Sequence, residues 1–353
     1  GFSLAATNAN DIRISVRSAE QGRILKPDEL LAIAMNCDIG NSIKSFVHRF
    51  TEEISHISAI TDNITDLEWL SSYIKNIIDA QGEIRDNATP ELYQIRKEIL
   101  SIHTYLNDRM ETLLRNQKIR SALQEPIITM RNGRYVLPVR ADNRNHIQGV
   151  VHDISASGAT IYIEPLVLVD SGNKWRELQL QEQHEINTIL KNLSSKIGTC
   201  AEQLKLSTDQ LASLDLLNAI GKFAKEINAT HLIDKDPSDW IIEAPNELKL
   251  INASHPLLKG DVVSNTINVG GSYKALLITG PNTGGKTVAL KTAGLLTIMA
   301  LSGLPIPAQN GTMIPKYSEI FADIGDEQSI EQSLSTFSGH IKKIINIIAR
   351  ADS

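Results

Sequence analysis

Residues 274–299 read KALLITGPNTGGKTVALKTAGLLTIM. Ala275–Thr279 reads as an apolar strand, and the residues after Thr287 read as a helix with an apolar face. Between them, Gly280–Thr287 (GPNTGGKT) matches GxxxxGK[ST] in full, in the strand–turn–helix setting that gives the pattern its meaning. Gly280, Pro281, Asn282, Thr283, Gly284 and Gly285 would form a cradle. Glycines there let backbone N–H groups turn inward around a β-phosphate, and the following helix presents its positive end to the anion. Lys286 is a point charge that would reach the β- and γ-phosphates, and Thr287 offers a hydroxyl to Mg2+. ATP and Mg2+ are the expected cofactors. The alternative is a glycine-rich turn that holds nothing.

Upstream the pattern is helical. Ile57, Ile60, Ile64, Leu67, Ile74 and Ile78 fall on an alternating three-four spacing, with Ser71 in the one gap, and form a coiled-coil-like seam. Gly82–Ala88 is polar and turn-like; Thr89 then suits a helix N-cap with Pro90 at the first helical position. A second seam follows at Leu92, Ile95, Ile99, Ile102, Leu106 and Leu113. The simplest arrangement is an antiparallel helical hairpin, with two separate core helices as the alternative. RYVLPVRA, IQGVVHDIS and GATIYIEP are β-branched and punctuated by Gly and Pro, so they read as strands and hairpins. Helical spacing returns at Ile186, Ile189, Leu190, Leu193 and Ile197 and continues through Leu211, Leu214, Leu217 and Ile220.

A composition shift near Asp234–Pro245, around DKDPSDW, marks a junction. The expected fold class is therefore all-α plus α/β. Residues 1–235 form a long-helix core and lever domain with a β insertion at about 125–165, and residues 236–353 form a nucleotide-binding domain. The 353 residues leave room for both. The net charge of −6 does not advertise nucleic-acid binding, so any such surface must be local. One stretch qualifies: Arg109–Arg144 holds eight basic residues against three acids, a net of +5. Arg131, Arg134, Arg140 and Arg144 are its candidate phosphate contacts, against the alternative of an arginine-solubilised hairpin. Cys37 and Cys200 are isolated and read as reduced thiols, the nine histidines lack ligand spacing, and no apolar run reaches a membrane span. No membrane partner is expected, and the cytoplasm is the expected compartment.

LLITGPNTGGKTVALKTAGLL resembles the MutS family, where the loop is GPN-x-GGK-[ST]. GLPIPAQNGTMIPKYSEIFADIGDEQSIEQSLSTFSGH is similar to the stretch that joins this loop to the family's STF signature, and NASHPLL to the segment with a His-Pro pair near the adenine. RNGRYVLPVRADNRNHIQGVVHDISASGATIYIEP and GDEQSIEQSLSTFSGH resemble the second bacterial branch, MutS-two, so the resemblance covers nearly the whole chain. It implies an ABC-type phosphate-loop ATPase domain, present in its N-terminal part. It implies that His255 and Pro256 flank the base, though a His-Pro pair is also a common turn. Ser335, Thr336 and Phe337 would form a signature loop that reaches the partner's γ-phosphate across a homodimer. A helix N-cap at Ser335 or Thr336 is compatible with that role.

The resemblance further implies arms that embrace branched DNA or a collided ribosome with its rRNA, in suppression of homologous recombination or in ribosome rescue. It places the hydrolytic Walker B carboxylates and a C-terminal Smr nuclease module outside these residues, so the chain is expected to bind ATP and to hydrolyse it poorly. Glu319–Asp323 or Asp326-Glu327 is the alternative acidic motif. A mismatch-repair protein of the same family is the alternative to MutS-two. A structural coiled-coil ATPase of the SMC or Rad50 kind would need longer heptad arms, and a small-molecule kinase would need a lid beyond the helix.

Overall fold

The structure is a computed structural model and describes residues 9–50, 55–229, 232, 235–243, 247–280, 285–324 and 333–350, with the backbone alone for 333–340. It divides into two units, Gly1–Leu214 and Asp215–Ser353.

In the first unit, α1 (Arg13–Glu20) is followed by α2 (Pro27–Val47), which opens with proline at its first position and Glu29 accepting from the Lys26 amide at 2.9 Å. Then come α3 (Ser55–Asp62) and α4 (Glu68–Ile77). The first seam is therefore not one continuous helix. Ile64 and Leu67 are buried in the connection, where the Lys44 ammonium donates to the Ile64 carbonyl, the Ser207 hydroxyl accepts from the Thr65 amide, and Asp66 accepts from the Glu68 amide. Local side-chain bonds of this kind compete with a helix for the backbone.

α5 (Pro90–Arg115) begins as its sequence suggests, with the Thr89 hydroxyl accepting from the Leu92 amide at 3.1 Å. The short α6 (Gln117–Ala122) follows. α4 packs on α2, whereas α5 packs on α7 (Val169–Thr199), so the two seams form separate core helices rather than a hairpin. Arg96 fastens α5 in place: its Nε donates to Glu182 on α7 at 2.8 Å and its Nη1 to the Ile84 carbonyl at 2.8 Å. Leu30, Ile33, Leu70, Ile74, Leu92, Leu193 and Ile197 share one core. Full burial of each such side chain stabilises the fold by about 1.5–3 kcal/mol. The free thiols of Cys37 and Cys200 lie in it, and burial above all pushes the Cys37 thiol up to about 12.

The β insertion is a four-stranded antiparallel sheet of β1 (Thr129–Arg131), β2 (Arg134–Arg140), β3 (Gly149–Ile154) and β4 (Thr160–Pro165), in the order β1-β2-β4-β3. Asn132 and Gly133 both take positive φ, 52° and 73°, in the two-residue turn that joins β1 to β2. β1 stops at the Thr129–Val136 pair, so Pro138 lies beyond its reach on that flank of β2, where the Gln124 amide donates to its carbonyl at 2.8 Å. Val151 pairs with Ile163 and Asp153 with Tyr162, which leaves His152 as a bulge. The bulge turns the His152 Nε2 onto the Glu164 carboxylate at 2.6 Å.

Glu164 is 2% exposed and also accepts from Arg134 at 3.3 Å. A Cβ on Gly172, in the first turn of α7, would lie 2.4 Å from the Glu164 Oε1, so only glycine lets the helix come this close. The Arg134 Nη2 meanwhile donates to Asn173 at 2.7 Å. The sheet is thus clamped to α7 through one buried anion.

α8 (Ala201–Glu226) runs past the division at Leu214. The division comes before the composition shift near 234–245 because Leu211 and Leu214 pack in the first unit, while Phe223 and Ile227 already belong to the core of the second.

That core joins β6 (Glu247–Ala253) and β7 (Asn265–Gly270), an antiparallel pair, to α9 (Lys286–Leu301) through Leu250, Ile267, Leu296 and Ala300. β5 (Ile241–Ile242) pairs in parallel with β8 (Ile314–Pro315), and α10 (Ser333–Arg350) ends the described chain. Sequence reading expects a strand at Ala275–Thr279; the structure has none there. Leu276, Leu277 and Ile278 are exposed, and among the described strands none lies beside them to supply a ladder.

Replacing Glu164 by Ala leaves the Arg134 guanidinium and the His152 ring facing an emptied site. It should lower the stability to urea by about 3 kcal/mol. Removal of Glu177, exposed and paired with Lys174 at 3.2 Å, should shift it by less than about 1 kcal/mol. Equal urea midpoints for the two variants would contradict the clamp.

Candidate functional site

The first described residue after the glycine-rich turn is Gly285, at φ 76° and ψ 14°, and α9 starts at the next position. A left-handed residue at this point lets the chain enter the helix at once, and nothing lies within 4 Å of where a Cβ would stand. Among the described residues no side chain caps the helix, which leaves its first amides for an anion. Gly280, at φ 145°, opens the turn, and the Lys286 ammonium folds back to donate to the Gly280 carbonyl. The two ends of the turn and its cation are therefore together. Thr287 is exposed on the first turn of α9. Pro281, Asn282, Thr283 and Gly284 lie outside the described residues.

His255 follows β6 and accepts from the Leu257 amide through Nδ1 at 3.3 Å, which is a turn; Pro256 is half-buried beside it. His255 also borders a cavity of about 620 Å3 between one face of α9 (Leu290, Gly294, Ile298) and the segment from Tyr317 to Ile324. Gly280, Lys286 and Thr287 are not among the cavity's walls. The cavity is mostly apolar, with Lys291, Glu319 and Asp323 at its polar edge.

The competing acidic motif is not a strand. Glu319 is ion-paired with Arg350, Asp323 lies 3.8 Å from Lys343, and the Arg350 guanidinium stacks 5.1 Å from the Phe321 ring centre. These acids face α10. Asp326 and Glu327 lie outside the described residues. Among the described residues no cluster of three or more His, Cys, Asp or Glu could hold a metal ion, and no helix is long and apolar enough to cross a membrane.

In the first unit the four candidate arginines separate into two pairs. Arg134 is tied to Glu164 and Asn173, and Arg131 lies 3.4 Å from Asp153 with its guanidinium 4.4 Å from the Tyr162 ring centre. Arg140 and Arg144 are exposed and have no carboxylate within ion-pair distance among the described residues.

Comparison with known proteins finds matches over nearly the whole chain. Residues 276–353 match the family model described as MutS domain V. Endonuclease MutS2 of Pelotomaculum thermopropionicum is 42% identical over 97% of this chain and 42% of its own length. Endonuclease MutS2 of Clostridium tetani is 43% identical over 97% of this chain and 43% of its own length. Putative endonuclease MutS2 of Bacillus subtilis is 40% identical over 97% of this chain and 43% of its own length. The chain is similar to these MutS2 proteins. It spans less than half the length of these curated relatives.

Ser335, Thr336 and Phe337 are the third to fifth residues of α10, which spans Ser333–Arg350, rather than its cap. Their side chains lie outside the described residues. Sequence reading missed the Glu164 cluster. The signal available was a glutamate in an otherwise apolar strand, TIYIEP, but the histidine and glycine that answer it come from a bulge and a helix.

Gly285→Ala should cost about 1–2 kcal/mol, because a Cβ is disfavoured at left-handed φ. Hydrogen exchange should then quicken in the first turn of α9. Unchanged exchange would mean that the turn enters the helix in another way.

Proposed function

We propose that this chain binds ATP with Mg2+ at Gly280–Thr287. The observation that carries this reading is the left-handed Gly285 directly before α9, with the Lys286 ammonium returned to the Gly280 carbonyl. A triphosphate entering the turn would offer the ammonium stronger, charge-assisted bonds to phosphate oxygens than that carbonyl does. The uncapped amides at the start of α9 would add theirs. Thr287, exposed on the same turn, would hold the magnesium ion, and Pro281, Asn282, Thr283 and Gly284 would complete the cradle. His255 and Pro256 would flank the base.

Hydrolysis also needs carboxylates that hold the metal and orient water. Glu319 and Asp323 are paired with Arg350 and Lys343, so we propose slow turnover by this chain and hydrolysis in the longer proteins it resembles. In those proteins, two ATPase domains of a homodimer would close on nucleotide, with Ser335, Thr336 and Phe337 acting on the partner's phosphate. The helical unit, residues 1–235 by sequence, would serve as core and lever.

The target in this reading carries nucleic acid, either branched DNA, as suppression of recombination requires, or a collided ribosome through its rRNA. The relatives' names include an endonuclease activity. By the family resemblance, we assign any such activity in the longer protein to a module outside these residues.

Lys286→Ala should remove binding of a fluorescent ATP analogue, with a loss of affinity of at least about a hundredfold, on the order of 3 kcal/mol. An unchanged titration curve would end the phosphate-loop assignment.

A further inference from the structure

Two basic elements of the first unit lie side by side. α6 carries Lys118 and Arg120, and it packs against the 3-10 segment Ala141–His146, which carries Arg144 and follows Arg140 at the end of β2. A bridge between Leu123 and Val139 fixes the two chain segments in register. All four cations are exposed, and among the described residues no carboxylate lies within ion-pair distance of any of them. Their neighbours Arg115, Arg131 and Arg134 each have one. Glu125 and Asp142, the acids nearest in sequence, are exposed and make no ion pair with the four. Unpaired cations grouped this way repel one another, and a surface built only for solubility intersperses both signs.

The chemistry of the face narrows its occupant. Neither α6 nor Ala141–His146 presents an exposed large apolar side chain. A protein partner is usually held by a buried aromatic or aliphatic anchor, and a membrane surface by inserted apolar groups. A phosphate backbone needs neither; it needs cations and hydrogen-bond donors. Asn145 and His146, both exposed, add donors beside the four cations.

We infer that this end of the four-stranded sheet, bearing Lys118, Arg120, Arg140 and Arg144, is a docking face for the phosphate backbone of a nucleic acid. The inference rests on the nucleic-acid target proposed above and deepens it. Lys118 and Arg120 enter the contact set, while Arg131 and Arg134 leave it for structural work. Recognition here is by charge, so it is indifferent to base sequence.

The test is a salt titration of the full chain against a short DNA duplex, a four-way DNA junction and a ribosomal RNA hairpin. Each lost phosphate contact should reduce the slope of log affinity against log salt by about 0.9 on duplex DNA and about 0.7 on single-stranded RNA. Arg140→Gln with Arg144→Gln, and separately Lys118→Gln with Arg120→Gln, should each flatten the slope by nearly twice that amount and weaken binding tenfold or more. Arg13→Gln with Lys174→Gln, which removes two ion-paired cations, should leave slope and affinity in place. The substrate with the steepest original slope identifies the source of the phosphates.

If the unmodified chain binds nucleic acid and neither double variant changes the slope, the face is overturned while the nucleic-acid reading stands. If no substrate binds, both fall. Binding of fluorescent ATP by the same variants reports on the nucleotide site independently of either result.

Discussion

A carboxylate taken out of water must be answered by cations or donors, and Glu164 is answered from two strands and given room by a helix. Arg134 reaches it along β2, His152 reaches it because β3 bulges, and Gly172 leaves room for it against α7. Desolvation of such a charge costs several kcal/mol, which the pairing offsets only when the geometry is held. The β insertion is therefore seated on the helical unit at one location by requirement. A sheet that slipped by one residue would turn Glu164 to the other face and leave Arg134 and His152 without an anion. The cationic end of the sheet inherits its position from this arrangement, since β2 carries Arg134 at one end and Arg140 at the other.

The second unit obeys a different constraint. A strand is stable only when its amides and carbonyls are paired, and the described strands there are already paired with one another. Ala275–Thr279 has the composition of a buried strand without the ladder. α9 does not depend on that ladder in the same way. Its start is set locally by a left-handed glycine, and its inner face is held by Leu296 and Ala300 against Leu250 and Ile267. The phosphate turn thus keeps a defined end even where its leading strand has no neighbour.

What could be read from sequence follows the same distinction between local and distant causes. The Thr89 cap, the helix after Lys286 and β2, β3 and β4 are governed by neighbouring residues and stand where their patterns place them. Partners are set by the whole core, and there the pattern was less informative. The seam from Ile57 to Ile78 has unbroken helical spacing, yet Thr65 and Asp66 bond locally and break it in two. Two seams of equal quality could form a hairpin, but α5 has a better counterpart in α7. Among the four arginines, spacing gave no means of separating Arg131 and Arg134, which have anions, from Arg140 and Arg144, which do not. The difference lies in residues from β3 and β4 that only folding brings near.

Two sites for phosphate on one chain would then work by different physics. At the start of α9, helix amides are fixed in direction and the Lys286 ammonium supplies charge. Such a site selects by shape, and short charge-assisted bonds in an enclosed cradle are only weakly screened by salt. At the end of the sheet, side chains on exposed elements supply charge without enclosure, so attraction spreads over several phosphates and fades as the Debye length shrinks. An acidic chain with a net charge of −6 has reason to confine its attraction for nucleic acid to one small face. Elsewhere the same polyanion would meet repulsion, so orientation as well as affinity would come from the placement of four unpaired cations.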